Sequence, residues 1–318
     1  MTRRTFVSGR TSAALVAVVV LAGCIATTRP PVSSVVPALP TAGLQVYAVG
    51  DIADCNQRAP ADSMAARTSR LVPDGALVLG LGDMAYPLAD ARALASCYEP
   101  TWGRHRAMTL ATPGNHDYVR GNAGDFSEYF GADVLHDGGF IAYNRALTED
   151  WRLIALDSNV DGSVLQAQYD WLDRLFAEDA KAAARTPGCL LVMWHAPLYS
   201  SGFHRGSGDK MRPFWQLIDR HGADLVLSGH EHFYERFDPL DAAGQPPGDG
   251  QAPRQFVVGT GGARLYGFWK PPYRSKARVL EHGVLQLSLE RGSYSWRFID
   301  VDGRVQDAGE ARCRTTVN

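Results

Sequence analysis

The sequence has little of what a nucleic-acid binder or a zinc-knot domain needs. Formal net charge is −2 over 318 residues, and no block of like charges occurs, so no basic face for a phosphodiester backbone is evident. The five cysteines stand at 24, 55, 97, 189 and 313, never in CxxC or Cys/His spacing, which argues against a structural zinc site. No apolar run reaches the roughly 20 residues that a membrane-crossing helix requires. No internal repeat appears, which removes solenoids and propellers. The run Gly259-Thr260-Gly261-Gly262 lacks the Lys and following helix of a phosphate loop and reads as a tight turn at a strand end.

What is present is ordinary globular composition, 45% hydrophobic and 21% charged. The N-terminus stands apart. Arg3, Arg4 and Arg10 precede a short apolar run over residues 13–22, the order of an export signal. That run ends in Leu21-Ala22-Gly23-Cys24, which resembles a bacterial lipobox with Cys24 as the lipidated residue. Residues 2–7 resemble a twin-arginine signal. A plain membrane anchor or an ordinary cleaved signal are the alternatives. Residues 1–23 are thus expected to be a lipoprotein-type signal peptide. Residues 24–43, with Pro30, Pro31, Pro37 and Pro40, are expected to be a flexible tether, and 44–318 a catalytic domain. The expected location is outside a bacterial cytoplasm, as a membrane-anchored lipoprotein or a periplasmic or extracellular protein. Export leaves Cys55, Cys97, Cys189 and Cys313, an even number with three possible pairings. Cys55–Cys97 with Cys189–Cys313 is the working pairing, and four buried thiols the alternative.

From residue 44 onward, short apolar runs at 45–50, 76–81, 153–156, 190–194 and 224–227 read as buried strands. Helical patterning falls at 61–71, 89–97, 165–184 and 213–221. Later runs at 255–258, 284–289 and 294–301 alternate like strands of a second sheet. Four buried strands run straight into polar residues: Gly50-Asp51, Gly82-Asp83, Trp194-His195 and Gly229-His230. Ligands gather at the carboxyl ends of strands in α/β sheets, so these residues are expected to share one edge.

Five blocks carry the chemistry: Gly50-Asp51-Ile52-Ala53, Gly82-Asp83-Met84-Ala85-Tyr86, Gly114-Asn115-His116-Asp117, His195 before Ala196-Pro197, and Gly229-His230-Glu231-His232. Each alone is a weak signal, and a lone Gly-Asp is usually a turn. Together and in this order they resemble the calcineurin-like metallophosphoesterase superfamily. Tyr86, and Ala53 where other branches carry His, resemble its purple acid phosphatase branch. Cys97 to Gly103 and Tyr234-Glu235-Arg236-Phe237 are similar to its bacterial members. The resemblance implies an αββα sandwich, with two mixed β-sheets flanked by helices.

It also implies two metal ions. One would be held by Asp51, Asp83, Tyr86 and His232, the other by Asp83, Asn115, His195 and His230, with Asp83 shared. A carboxylate-rich set with a phenol suits Fe(III), and imidazoles with an amide oxygen suit a divalent Zn, Mn or Fe. The implied reaction is hydrolysis of small phosphate monoesters by a metal-bound hydroxide. His116 and His204 match the family's histidines that face the leaving group, and Arg205 stands where plant members often have a second His. A phosphodiesterase acting on nucleotide, lipid-headgroup or cell-wall diesters is the alternative, and a phospho-ligand-binding lipoprotein without turnover is a further one. Membrane contact is expected through the N-terminal lipid only. His105, His136, His221 and His282 belong to no motif and read as core or surface residues. Tyr266, Trp269 and Tyr273 read either as a substrate rim or as cover for the second sheet.

Overall fold

A computed structural model of the chain describes residues 1–2, 43–57, 60–131, 134–136, 138–181, 188–204, 210–248, 251–271 and 274–314. Cys24, most of the expected signal and tether, Arg205 and Tyr273 lie outside the described residues. Among those described, no helix is long and apolar enough to cross a membrane.

The strands in chain order are β1 (Leu44–Val49), β2 (Ala53–Asp54), β3 (Leu77–Gly80), β4 (Ala85–Tyr86), β5 (Thr109–Ala111), β6 (Tyr143–Ala146), β7 (Trp151–Ala155) and β8 (Cys189–Met193). They continue with β9 (Leu225–Ser228), β10 (Tyr234–Pro239), β11 (Arg254–Val258), β12 (Ser275–Val279), β13 (Gly283–Glu290), β14 (Ser293–Asp300) and β15 (Val305–Arg312). One sheet runs β15-β14-β13-β1-β3-β5, and the other β12-β10-β11-β9-β8-β7-β6. Both are mixed: β1, β3 and β5 are parallel, as are β7, β8, β9 and β11, while the flanking strands run antiparallel.

Period-2 side-chain alternation divides the second sheet between two cores. Leu153, Leu191, Met193, Leu225 and Leu227 join Val46, Ala48, Leu79, Trp296 and Phe298 in one core, which is therefore built from both sheets. Their chain neighbours Ile154, Leu190, Val192, Trp194 and Val226 pack instead with Leu172, Phe176, Phe214 and Trp215 from the helices Gly162–Lys181 and Arg212–Arg220. Every residue of β7, β8 and β9 is buried, which is why these strands read as continuous apolar runs.

The C-terminal strands do not form a second sheet of their own, contrary to the expectation from their alternation. Residues 255–258 fall within β11, which pairs parallel with β9, whereas β13 and β14 extend the sheet of β1. Alternation reports which faces are buried, not which neighbour a strand takes. Sulfur pairs join Cys55 to Cys97 and Cys189 to Cys313, with Cα–Cα distances of 5.5 and 5.6 Å.

Candidate metal centre

Parallel strands share one direction, so the carboxyl ends of β1, β3 and β5 meet at one edge, and those of β8, β9 and β11 at another. Backbone bonds bring the two edges together. Gly50 N donates to Val258 O (2.9 Å) and Gly261 N to Gly50 O (2.9 Å), while the bond from Gly229 N to His195 O (2.9 Å) continues the pairing of β8 with β9. The Gly259–Gly262 run thus turns at the end of β11 and braces the loop after β1. Beyond β1 and β3 the chain zips again as the short parallel pair β2–β4, which aligns Asp54 with Tyr86.

The packing at this edge demands small residues. A Cβ on Gly114 would stand 2.0 Å from Asp83 Oδ1, and one on Gly82 2.6 Å from both Gly114 N and His195 Nδ1. Asp51, Asp83 and His230 adopt left-handed backbone (φ 59°, 55° and 70°), a conformation that side-chain-bearing residues rarely hold unless their surroundings fix it. Those surroundings are visible. Asp117 is fully buried and accepts from the backbone N–H groups of Asp83 (2.7 Å), Met84 (3.0 Å) and Gly114 (2.7 Å), tying the loops after β3 and β5 together.

The side chains converge on two adjoining groups. In one, the Tyr86 hydroxyl lies 2.6 Å from Asp51 Oδ1, 2.7 Å from Asp83 Oδ2 and 2.9 Å from His232 Nε2, and His232 Nε2 is 3.1 Å from Asp51 Oδ1. In the other, Asn115 Oδ1, His195 Nε2 and His230 Nδ1 form a triangle with edges of 3.2, 2.9 and 3.2 Å. Asp83 belongs to both, its Oδ2 being 3.3 Å from His195 Nε2. Ring orientation is fixed from outside: His195 Nδ1–H donates to Leu81 O (2.7 Å) and His232 Nδ1–H to Arg264 O (2.7 Å). A carbonyl only accepts, so both Nε2 atoms turn their lone pairs inward in the neutral ring.

Electrostatics set these groups against one another. Burial opposes charge on His195, yet the Asp83 carboxylate raises it to about 10. Burial and the neighbouring positive His195 push His230 down to about 3. Burial, with Asp51 and Asp83 alongside, raises Tyr86 well above the usual phenol range. Burial and the charge of Asp83 raise Asp117 to about 7. Among the described residues, the ion-pair partners of Asp51 and Asp83 are all histidines. The charge that balances these carboxylates is thus carried by imidazoles, which can exchange a proton for a metal ion. Two carboxylates, a phenol, an amide oxygen and three imidazoles turned inward form a donor set that fits cations.

The sequence profile of the calcineurin-like phosphoesterase family matches residues 44–234, more than half of the chain. The chain belongs to the calcineurin-like phosphoesterase family. Within it, the chain is similar to purple acid phosphatase 22 of Arabidopsis thaliana (32% identity over 153 residues, 45% of this chain and 34% of that one). It is also similar to the Fe(3+)-Zn(2+) purple acid phosphatase 12 of the same plant (26% over 285 residues, 79% and 59%). Among solved structures, a purple acid phosphatase from yellow lupin, Lupinus luteus, shares the fold, with a TM-score of 0.64 at 17% identity, covering 86% of this chain and 54% of that one. The chain spans only about a third of the length of the first of these relatives. Strands β11 to β15 lie beyond the residues matched to the calcineurin-like family, yet they complete both of its sheets.

The two histidines expected to face a leaving group sit beside these ligand-type residues. His116 rests against Tyr86 with ring centroids 4.4 Å apart, donates Nδ1–H to Pro87 O (2.6 Å) and holds Nε2 4.0 Å from Asp83 Oδ2. His204 lies 5.3 Å from the His230 ring, with Nδ1 3.5 Å from Glu231 Oε2. Glu231 is fully buried, and burial raises its carboxyl above the usual range. Sequence reasoning assigned no role to Glu231 or Asp117, although both stand inside the blocks it singled out. It left Tyr266 between two roles. That ring stacks on His232 at 4.1 Å and 17°. The remaining histidines lie elsewhere: His105 beside Trp102, His136 on Phe140, His221 on Phe176, and His282 against Thr260 O. A second meeting of metal-competent residues, Cys189, Asp224 and Cys313, offers no thiolate because its sulfurs are bonded to each other.

Proposed function

We propose that this chain is a dinuclear metal-dependent phosphomonoesterase of the acid phosphatase type, with residues 44–318 as its catalytic domain. The observation that carries the reading is the Tyr86 hydroxyl, whose single proton meets Asp51, Asp83 and His232 within 2.9 Å. A phenol, two carboxylates and an imidazole gathered this closely form a donor set that suits a cation. Asp51, Asp83, Tyr86 and His232 would hold one ion, and Asp83, Asn115, His195 and His230 the other. The phenol and carboxylates favour Fe(III), and the imidazole-rich half favours a divalent Zn, Mn or Fe. When bound, the pair would neutralise phosphoryl charge and acidify water.

The chain's own residues supply the rest. His116 keeps Nδ1–H on Pro87 O, which leaves Nε2 to hold the proton that the departing alkoxide needs. His204, backed by the Glu231 carboxylate, presents a second imidazole beside His230. The loop carrying His204 is anchored where Glu235 accepts from Ser201 N (2.9 Å) and from Ser201 Oγ. Export is part of the same reading, supported by the two disulfides, which persist in oxidising compartments. Cys24 as the lipidated residue belongs to it too.

The test is phosphate release by the metal-loaded domain from an alkyl monoester and its matching diester. The monoester is expected to win by orders of magnitude in kcat/KM. A preference for the diester would move the assignment to a phosphodiesterase, and phosphate binding without turnover would make it a binding protein. His116→Asn is expected to lower kcat on the alkyl monoester by about 10²–10⁴-fold, the usual contribution of a positioned acid. An unchanged kcat would remove His116 from that role.

A further inference from the structure

Phe203 (59% exposed) and Trp269 (69% exposed) are the two aromatic residues among the exposed large hydrophobics of the described chain. They are not scattered. Their rings meet at 5.0 Å, Phe203 lies 5.7 Å from His204, and His204 lies 5.3 Å from His230 and 5.1 Å from Tyr266. Tyr266 in turn stacks on His232. A continuous path of rings therefore runs from two ligand-type histidines out to solvent. Two ring-to-ring steps, of 5.7 and 5.3 Å, separate Phe203 from His230.

The outer rings are held in place. Trp269 N and Lys270 N both donate to Ser201 O (3.0 Å each), which fastens the Trp269 segment to the loop bearing Phe203. Phe268 turns inward, 4.4 Å from Phe233, with the Arg278 guanidinium 3.9 Å above its ring, so its neighbour Trp269 is left facing out. Exposed apolar surface next to a polar site marks a place where something apolar binds. Fixed rings bind other planar rings by stacking, without needing a particular hydrogen-bond pattern.

We infer that Phe203 and Trp269 form a leaving-group subsite that selects phosphomonoesters bearing a planar ring, nucleoside or aryl. This rests on the phosphomonoesterase reading above, with the phosphate at the Asp83 edge and the ester group lying along the rings. His204 then stands beside the ester oxygen, and the two outer rings receive the base or arene.

The test compares substrates that share an alcohol class and differ in the ring. With metal-loaded protein, a purine 5′-nucleotide is set against ribose 5-phosphate, and benzyl phosphate against cyclohexylmethyl phosphate. The ring-bearing partner is expected to lead by about ten-fold in kcat/KM in each pair, through KM. Both ratios should collapse toward one in Trp269→Ala and in Phe203→Ala. A preference confined to the first pair assigns the subsite to nucleosides, and one present in both assigns it to rings in general. Binding of adenosine against ribose, followed by calorimetry, reads the subsite without turnover. Adenosine binding that weakens in Trp269→Ala upholds the subsite even if no ester is hydrolysed, in which case only the phosphomonoesterase reading fails. Ratios near one in the unaltered protein, with no adenosine binding, overturn the inference.

Discussion

Two polar clusters in this protein are built on opposite terms. At Asp307, a single carboxylate meets donors on every side: Tyr234 OH (2.6 Å), Arg236 Nε (2.7 Å) and Nη2 (2.9 Å), and Trp296 Nε1 (3.1 Å). Burial opposes its charge, yet Arg236 and Tyr234 hold its carboxyl below the usual range. At Asp83, two carboxylates crowd one phenol and a set of imidazoles, with no Lys or Arg among their ion-pair partners in the described residues. The first cluster is complete as protein. The second balances its two carboxylates only with histidines, side chains that become metal ligands on losing a proton. Buried polar groups that satisfy one another specify structure, and those that leave an imbalance at a strand-end edge point to a ligand.

The contrast breaks most sharply under substitution of the two aspartates. Asp83→Asn is expected to reduce phosphate release by at least about 10²–10³-fold, the scale of losing one electrostatic element of an active site, in protein that still folds. An Asp83 variant that folds and keeps its phosphate release would make Asp83 an ordinary structural residue. Asp307→Asn should do the reverse. It leaves Arg236 without its half-buried partner and should cost about 2–4 kcal/mol in urea unfolding, with activity per folded molecule retained. An Asp307 variant as stable as the parent would show that its cluster contributes no net stability.

Asp224 sharpens the comparison through pH. It accepts from Leu190 N (2.7 Å), but burial still raises its carboxyl to about 7. A raised carboxyl keeps its proton in the folded chain after the unfolded chain has lost it. Its stabilising contribution is therefore present below the ordinary carboxylate range near 4 and is lost as pH rises toward 7. Asp307, being lowered, contributes the opposite slope: stability held at neutral pH and lost as pH falls through its folded value. Stability measured from pH 4 to 7 should thus fall less steeply in Asp224→Asn, by up to roughly 4 kcal/mol over the window. Parallel curves for parent and variant would contradict the raised carboxyl.

Much of the candidate site is legible in the sequence because four of the five blocks open on a glycine and four stand at the end of an apolar run. Gly82 and Gly114 show why, since a side chain at either would collide with the neighbouring loop. Strand β5 before Gly114 is only three residues long and half exposed, and its faint pattern gave no sign of it. The helical stretch expected at 89–97 runs on as successive short turns to Met108, because Glu99 and Pro100 restart it at Tyr98. The partition of the later strands was hidden for a different reason. A strand such as β13, with Leu285, Leu287 and Leu289 buried, would suit either sheet, and its pairing with β1 is decided by the whole core. Tyr266 reaches His232 by stacking across 34 residues and Glu231 reaches His204 only through folding, and a residue-by-residue reading carries no signal for such contacts.

The most direct test is the metal content of the purified, folded domain, measured alongside its visible absorption. Two equivalents of metal per chain are expected, one of them iron. A visible band from a ferric phenolate should disappear in Tyr86→Phe. Protein that is folded and hydrolyses phosphate esters while holding fewer than two equivalents would contradict the shared cage around Asp83.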